Sequence, residues 1–261
     1  MPKLTVTLIT RDEAAHVGAA IESAAWADEV VVVDSQSTDD TAAIARRAGA
    51  RVEVRDWPGF IQQKNYAASV AANDWILSID ADERVSPELA AEIRGLLAGE
   101  PPAPGYRMAR ESHYLGRWIR TTDWYPDDQL RLYDRRRGRW TGRYVHESVS
   151  VDGPVGRLHG ALRHYPYRDI AHHLRTIDRY TTLASRQLHE DRRTVSAPGV
   201  AARGLGAFVR NYVLRGGFRQ GGIGLLVSAL NSYYVFLKFA KLWELDHAGD
   251  RAAASDVQRP D

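Results

Sequence analysis

Residues 30–48 read VVVVDSQSTDDTAAIARRA, and this stretch decides the class of fold. Val30 to Val33 form an uninterrupted β-branched run and read as a strand. Asp34 ends the run, a polar turn follows, and Asp39 or Asp40 stands where a helix N-cap is wanted ahead of Thr41 to Ala48. Working outward, Leu4 to Thr10, Arg51 to Arg55 and Trp75 to Ile79 read as further strands. Ala14 to Ala25 and Phe60 to Ala71 read as helices, and another helix follows Ser86 as N-cap and Pro87 at its first position. Strands alternating with helices imply an α/β, Rossmann-like, mostly parallel central sheet with right-handed crossovers and helices on both faces.

Length and composition bound the rest. The chain has 261 residues, 44% hydrophobic and 26% charged, enough for one large domain or a domain with an appendage and too ordered in composition for disorder or collagen-like repeats. Cysteine is absent, so thiolate chemistry is excluded and any metal must rest on Asp, Glu or His. The opening residues lack the pattern of a signal peptide, which predicts a protein that stays in the cytoplasm. Residues 1–100 hold 9 Lys and Arg against 17 Asp and Glu, a charge of −8; the remainder holds 26 against 16, a charge of +10. A basic half suits a polyanionic partner, and an acidic half suits a cation.

The sequence divides into a first part over 1–100 and a section over 101–165, which begins at the PPAP break (101–104) and carries short strand candidates. A helical region over 166–250 and a disordered tail over 251–261 complete the chain. In sheets of this kind ligands bind beyond the carboxyl ends of the strands, so the polar residues after each apolar run are the ones to inspect. They are acidic: Asp12 and Glu13 after the first strand, Asp34 after the second, Asp80 and Asp82 after the fourth. Alternation along an extended end places Asp80 and Asp82 on one side, where two hard oxygen ligands could share Mg²⁺ or Mn²⁺; a solvated acidic turn is the competing reading. Asp34 could accept a uracil N3–H or act as a cap. Asp12 and Glu13 line the same pocket or favour the next helix's positive end. Lys64 reaches phosphate or ribose unless it lies on a solvent-exposed helix face.

Four ordered motifs carry a resemblance: the turn Thr10-Arg11-Asp12-Glu13, VVVDSQSTDDT (31–41), GFIQQKNYA (59–67) and ILSIDADE (76–83). Together they resemble family 2 glycosyltransferases of the GT-A fold. YLGRWI (114–119), WYPDDQLRLYDRR (124–136) and VHESV (145–149) resemble the branch of lipopolysaccharide core β-glucosyltransferases. The resemblance implies an inverting transfer from a UDP-sugar, with glucose the expected sugar and a lipopolysaccharide-core or related glycolipid the expected acceptor. The implied nucleotide-sugar site comprises Thr10, Asp12, Glu13, Asp34 at the uracil, Ser35, Lys64, Asp80 near the ribose, Ala81, Arg131 and Arg135. Asp82 is implied on the metal, with Asp80 and a late histidine, His164, as further candidates. Two departures are Asp12, where the family has Asn, and Asp123, where the branch has Gly.

An inverting displacement needs a carboxylate to take the proton of the attacking hydroxyl. Glu147, beside His146, is the preferred candidate and Asp128 the alternative; a salt bridge among the surrounding arginines is the competing reading for both. The arginine-rich stretch 131–143 suggests nucleic acid at first sight, but no nucleic-acid-binding motif accompanies it, and phosphate on a lipid core or on the donor explains the charge better.

Leu205, Phe208, Val209, Tyr212 and Val213 follow helical spacing on one face, and Gln220 to Leu237 is uncharged over eighteen residues. Glycines, serines and Asn231 interrupt that stretch, so an interfacial helical hairpin on the cytoplasmic face of the inner membrane is expected ahead of a true span or an ordinary packed helix. Two other readings stand beside the transferase: a sugar-phosphate nucleotidyltransferase, which lacks its Gly-rich phosphate loop here, and a non-catalytic glycan-binding protein with a decayed nucleotide pocket.

Overall fold

The structure, a computed structural model, describes residues 1–143 and 146–247. The expected tail 251–261 and the side chain of His146 lie outside the described parts. The chain forms two compact units: residues 1–113 with 126–166, and residues 114–125 with 167 onward.

In chain order the first unit contains β1 (Leu4–Thr10), α1 (Val17–Ala24), β2 (Glu29–Asp34), α2 (Thr41–Arg47), β3 (Arg51–Val54), α3 (Phe60–Val70), β4 (Trp75–Asp80), β5 (Glu83–Val85), α4 (Pro87–Leu97) and β6 (Gly105–Tyr114). After the short strand β7 (Arg117–Ile119) of the second unit come β8 (Asp127–Asp134), β9 (Gly138–Arg143), β10 (His146–Val151) and β11 (Val155–His164). The main sheet runs β3-β2-β1-β4-β8-β6-β11-β5, with β9 and β10 as a separate antiparallel pair. Its first four strands are parallel; β8 is antiparallel to both β4 and β6.

The valine run explains why β2 is interior. Val30 and Val32 join Leu4, Val6 and Leu8 against α1 and α4, while Val31 and Val33 pack with Ile9 and Ala67 of α3 on the opposite face. All four are at most 9% exposed. At about 1.5–3 kcal/mol for each buried side chain, the run has no polar face to offer water and must lie between two helical layers. The α4 start follows the sequence reading, with Ser86 Oγ accepting from Leu89 N at 3.2 Å and Pro87 in the first turn. Register then builds the rim: Thr10 of β1 lies opposite Asp34 of β2, and Ile9 lies opposite Asp80 of β4.

The second unit is helical: α5 (Ile170–Glu190), α6 (Ala197–Val209), a π-helical turn at Arg210–Leu214, a 3₁₀ turn at Gly217–Gln220, and α7 (Gly221–Asp246). Residues 114–125, expected with the section over 101–165, belong here because Tyr114, Ile119 and Trp124 pack with Tyr167, Ile177 and Leu230. Where α6 meets α7, the residues facing inward are small: Gly204 lies so close to Phe236 that a β-carbon would sit 3.1 Å from it, and Ser232 Oγ donates to Gly204 O. Of the stripe read from the sequence, Leu205 (67%), Val209 and Val213 are exposed while Phe208 and Tyr212 are half-buried, and Leu214 (77%) and Phe218 extend the exposed apolar surface.

Candidate functional site

The β1 and β2 ends are sewn together by polar side chains. Asp34 is buried and accepts from Thr10 Oγ1 at 2.8 Å, Ser37 Oγ at 2.5 Å and Ser37 N at 2.9 Å. Ser35 Oγ accepts from Gln63 Nε2 of α3 at 3.0 Å. Asp12 takes a left-handed backbone conformation (φ 55°), which Asn and Asp tolerate better than most residues, and its Oδ1 accepts from Thr38 N at 2.7 Å. The carboxylate therefore makes the bond that the side-chain carbonyl of an asparagine would make, and the departure at Asp12 leaves the turn intact. Asp40 is the N-cap residue of α2, and Asp39 Oδ1 accepts from Thr41 N at 2.9 Å, so Asp34 is not the residue that starts this helix.

The end of β4 differs from the sequence reading. The strand stops at Asp80, and Ala81 and Asp82 form a turn before β5, so period-two alternation does not carry from Asp80 to Asp82. Asp80 turns to cations: Oδ1 lies 3.1 Å from Lys64 Nζ and Oδ2 lies 2.7 Å from Arg131 Nη2. Burial opposes its ionisation, but Arg131 and Lys64 outweigh that and hold the carboxyl well below the usual range. Each oxygen of Asp80 thus faces a cation of the protein, whereas the Asp82 carboxylate is engaged by neither Lys64 nor Arg131.

Asp82 Oδ2 lies 3.3 Å from His164 Nε2, and Ser112 Oγ lies 3.1 Å from Nδ1 on the other side of that imidazole, which orients the ring. Glu13 lies among these acids. Its own burial, then Asp82, Asp39, Asp80 and Asp12, push its carboxyl up to about 7. The rim thus carries surplus negative charge, which a divalent cation would relieve. Among the described residues no three His, Asp or Glu side chains converge as a ready-made metal cluster. Asp82 and His164 would supply two protein ligands and leave the remaining positions to phosphate and water, a manner common for Mg²⁺ and its hard-cation relatives.

Of the two candidate bases, Glu147 lies within this constellation and Asp128 does not join it. Glu147 Oε1 is 3.5 Å from Lys64 Nζ, while Oε2 is buried without a hydrogen-bond partner among the described residues. Asp128 is held by both terminal nitrogens of Arg157 at 3.0 Å, in a partly exposed ion pair.

Arg131 and Arg135, paired by the sequence reading, separate. Arg131 is 3% exposed and joins Asp80 and Glu83, whereas Arg135 leaves the rim and caps the far end of α3, donating from Nη1 to Ala68 O at 2.8 Å and Ala71 O at 2.7 Å. Its position just after β8, opposite the start of β4, places it at the amino end of the parallel strands, where its contacts are structural. Sequence reasoning missed Glu83 and Trp140. Glu83 is fully buried; Oε1 accepts from Arg131 at 3.1 Å and Arg110 at 3.3 Å, and Oε2 accepts from Asp80 N at 3.0 Å. Its place next to the acidic motif was the available signal. Trp140 lies under Lys64 Nζ at 4.2 Å and Arg131 Cζ at 5.4 Å from its ring, and nothing in an arginine-rich stretch distinguishes it.

Comparison with known proteins matches residues 5–149 to the glycosyl transferase family 2 model. The chain belongs to glycosyl transferase family 2. This family 2 glycosyltransferase is 31% identical to a glycosyltransferase of Rickettsia typhi, over 98% of this chain and 92% of that one. It is 30% identical to the lipopolysaccharide core biosynthesis glycosyltransferase LpsC of Rhizobium meliloti, over 94% of each. Among solved structures it is similar to mannosyl-3-phosphoglycerate synthase from Rubrobacter xylanophilus, at 20% identity and a TM-score of 0.47, covering 75% of this chain and 77% of that one. Family membership makes the protein an enzyme that transfers glycosyl groups and displaces the nucleotidyltransferase and non-catalytic readings. The mixed α/β sheet accords with the GT-A class.

Proposed function

We propose that this glycosyltransferase moves a sugar, glucose first among the candidates, from a UDP-sugar to a lipopolysaccharide-core or related glycolipid acceptor, with inversion at the anomeric carbon and with Mg²⁺ or Mn²⁺. The observation that carries the proposal is the meeting of Asp80, Lys64, Arg131 and Glu147 at the carboxyl end of β4, beside the Asp82–His164 pair. The similarity to LpsC supports the acceptor class.

Asp34 and the β1–β2 turn form the floor on which the nucleoside would rest, with Asp80 beyond it toward the sugar-phosphate end. Asp82 and His164 would hold the divalent cation, which when bound supplies positive charge to the departing diphosphate. Arg131 is permanently charged: burial opposes its charge, but Asp80 and Glu83 outweigh that, so it fixes Asp80 in one orientation. In the transfer, the acceptor oxygen bonds to the anomeric carbon, its proton passes to Glu147, and the bond from that carbon to the diphosphate oxygen breaks on the opposite face. The ion pair with Arg157 makes Asp128 the weaker candidate for this proton.

The second unit supplies the membrane reading. From Arg192 to Trp243 the chain contains no acidic residue and eight lysines and arginines. The outward stripe of Leu205, Val209, Val213, Leu214 and Phe218 lies within that stretch. Apolar side chains facing out, small residues facing in and cations at their flanks fit a hairpin seated in an anionic bilayer surface. The segment Gly217–Asp246 is long and apolar enough to cross a membrane. Its contacts with α5 and α6, and the bonds of Asn231 to Trp124 and Asn211, support an interfacial segment ahead of a span, and the reading seats it at the cytoplasmic face of the inner membrane.

The test is nucleoside-diphosphate release across a panel of UDP-, GDP- and ADP-sugars with a core-oligosaccharide acceptor, for wild type and Glu147→Gln. The proposal expects turnover with one UDP-sugar and its loss in the variant. Turnover only with a donor bearing another nucleotide would overturn it.

A further inference from the structure

Lys64 does more in this fold than the donor-binding role read from the sequence. Its side chain is 4% exposed, and the near partners of its ammonium are two protein carboxylates, Asp80 Oδ1 at 3.1 Å and Glu147 Oε1 at 3.5 Å, and the ring of Trp140 at 4.2 Å. The neighbouring residue explains how these groups are held together. Asn65 Nδ2 donates to Trp140 O and Asn65 Oδ1 accepts from Trp140 N, both at 2.9 Å, so α3 grips the backbone of β9. In the antiparallel β9–β10 pair, Trp140 lies opposite Val149 and Gly142 opposite Glu147. Two residues apart along β10, Glu147 and Val149 share a face, and Val149 and Trp140 are buried in one cluster with Ala68 of α3. The carboxylate is therefore carried on the strand face that looks toward α3.

Asn65 already ties the hairpin to the helix, so a buried cation is not needed for that purpose. An ammonium removed from water costs free energy unless it is paired, and here it is paired with one carboxylate from the donor side and one from the acceptor side. Glu147 is left with one oxygen engaged and the other, Oε2, without a partner among the described residues.

We propose that Lys64 is a positioning residue of the transfer step: seated on Trp140, it holds Asp80 and the Oε1 of Glu147 in one constellation and so presents Oε2 as the oxygen that receives the acceptor proton. This links occupancy of the donor side to the placement of the base. It rests on Glu147 being the base.

The test compares wild type, Lys64→Gln, Lys64→Arg, Glu147→Gln and the Lys64→Gln/Glu147→Gln double variant. UDP affinity is measured by calorimetry with Mn²⁺, transfer by UDP release from UDP-glucose to a core oligosaccharide, and folding by Tm. Lys64→Gln is expected to lower kcat about 100-fold, the scale of a misplaced catalytic group, a larger factor than any loss of UDP affinity. Lys64→Arg, which keeps the charge and restores part of the reach, recovers about tenfold of that loss. In the Glu147→Gln background, Lys64→Gln adds no further loss. Losses that multiply in the double variant, or a loss confined to UDP affinity with kcat intact, overturn the coupling alone. Wild-type transfer by Glu147→Gln overturns the base assignment and the coupling with it.

Discussion

Glu83→Gln is the sharpest probe of how the rim is built. Glu83 is fully buried and balances two guanidinium groups, Arg131 at 3.1 Å and Arg110 at 3.3 Å, while its second oxygen accepts from the Asp80 backbone. Arg131 also pairs with Asp80 at 2.7 Å and Arg110 with Asp127 at 2.6 Å, but Arg131 already carries buried Nε and Nη1 groups without partners among the described residues, so losing Glu83 adds to that deficit. Glutamine keeps the shape but removes the charge, and its amide N–H groups would face donors if that end rotated toward the arginines. Removing one partner of a buried ion pair costs about 3–5 kcal/mol. For a chain of this size, about 2–4 °C of Tm per kcal/mol predicts a fall of about 6–20 °C in thermal denaturation followed by circular dichroism. A Tm within about 2 °C of wild type would refute the reasoning, because Arg131 and Arg110 would then not depend on Glu83.

Other outcomes follow from single contacts. Arg135→Ala removes charge-assisted bonds to the carbonyls that end α3 and is expected to cost about 1.5–3 kcal/mol of stability in urea titration, with UDP affinity unchanged; lost UDP affinity at unchanged stability would return Arg135 to the donor site. Glu13 predicts a pH effect: its carboxyl is raised from 4.5 to about 7, so the stability it contributes is present below pH 4.5 and is lost as pH rises toward 7. That shift corresponds to about 3 kcal/mol for a fully buried group and about 1–2 kcal/mol at this half-buried rim. Glu13→Gln should flatten the metal-free stability profile over that window, and an unaltered profile would remove Glu13 as its source. Replacing Leu214 and Phe218 together by serine should lower partition onto phosphatidylglycerol vesicles more than tenfold without changing Tm; equal sedimentation would remove these side chains from the bilayer contact.

The first hundred residues were legible because local signals and global fold agree there. The valine run, the Ser86-Pro87 helix start and the acids after each strand all point to one rim, and the register places them on it. Three features were not legible for specific reasons. The grouping of Asp80 with Asp82 on one side rested on alternation, which holds only inside a strand, and the strand ends at Asp80. Arg135 looks like its neighbour Arg131 in sequence, and only the closeness of the β8 end to the α3 carboxyl terminus assigns it to capping. The outward stripe of α6 could be read as a face but not assigned to an environment until Gly204 and Ser232 were seen to fill the inner side.

The central claim is that Asp82, at the turn after β4, supports a cation-bound diphosphate of a UDP-sugar. Calorimetric titration of UDP with and without Mn²⁺, on wild type and Asp82→Ala, tests it most directly. The account predicts metal-dependent binding that weakens at least about tenfold in the variant at unchanged Tm. Binding of equal strength with and without Mn²⁺, or an Asp82→Ala protein that binds as wild type does, would contradict it.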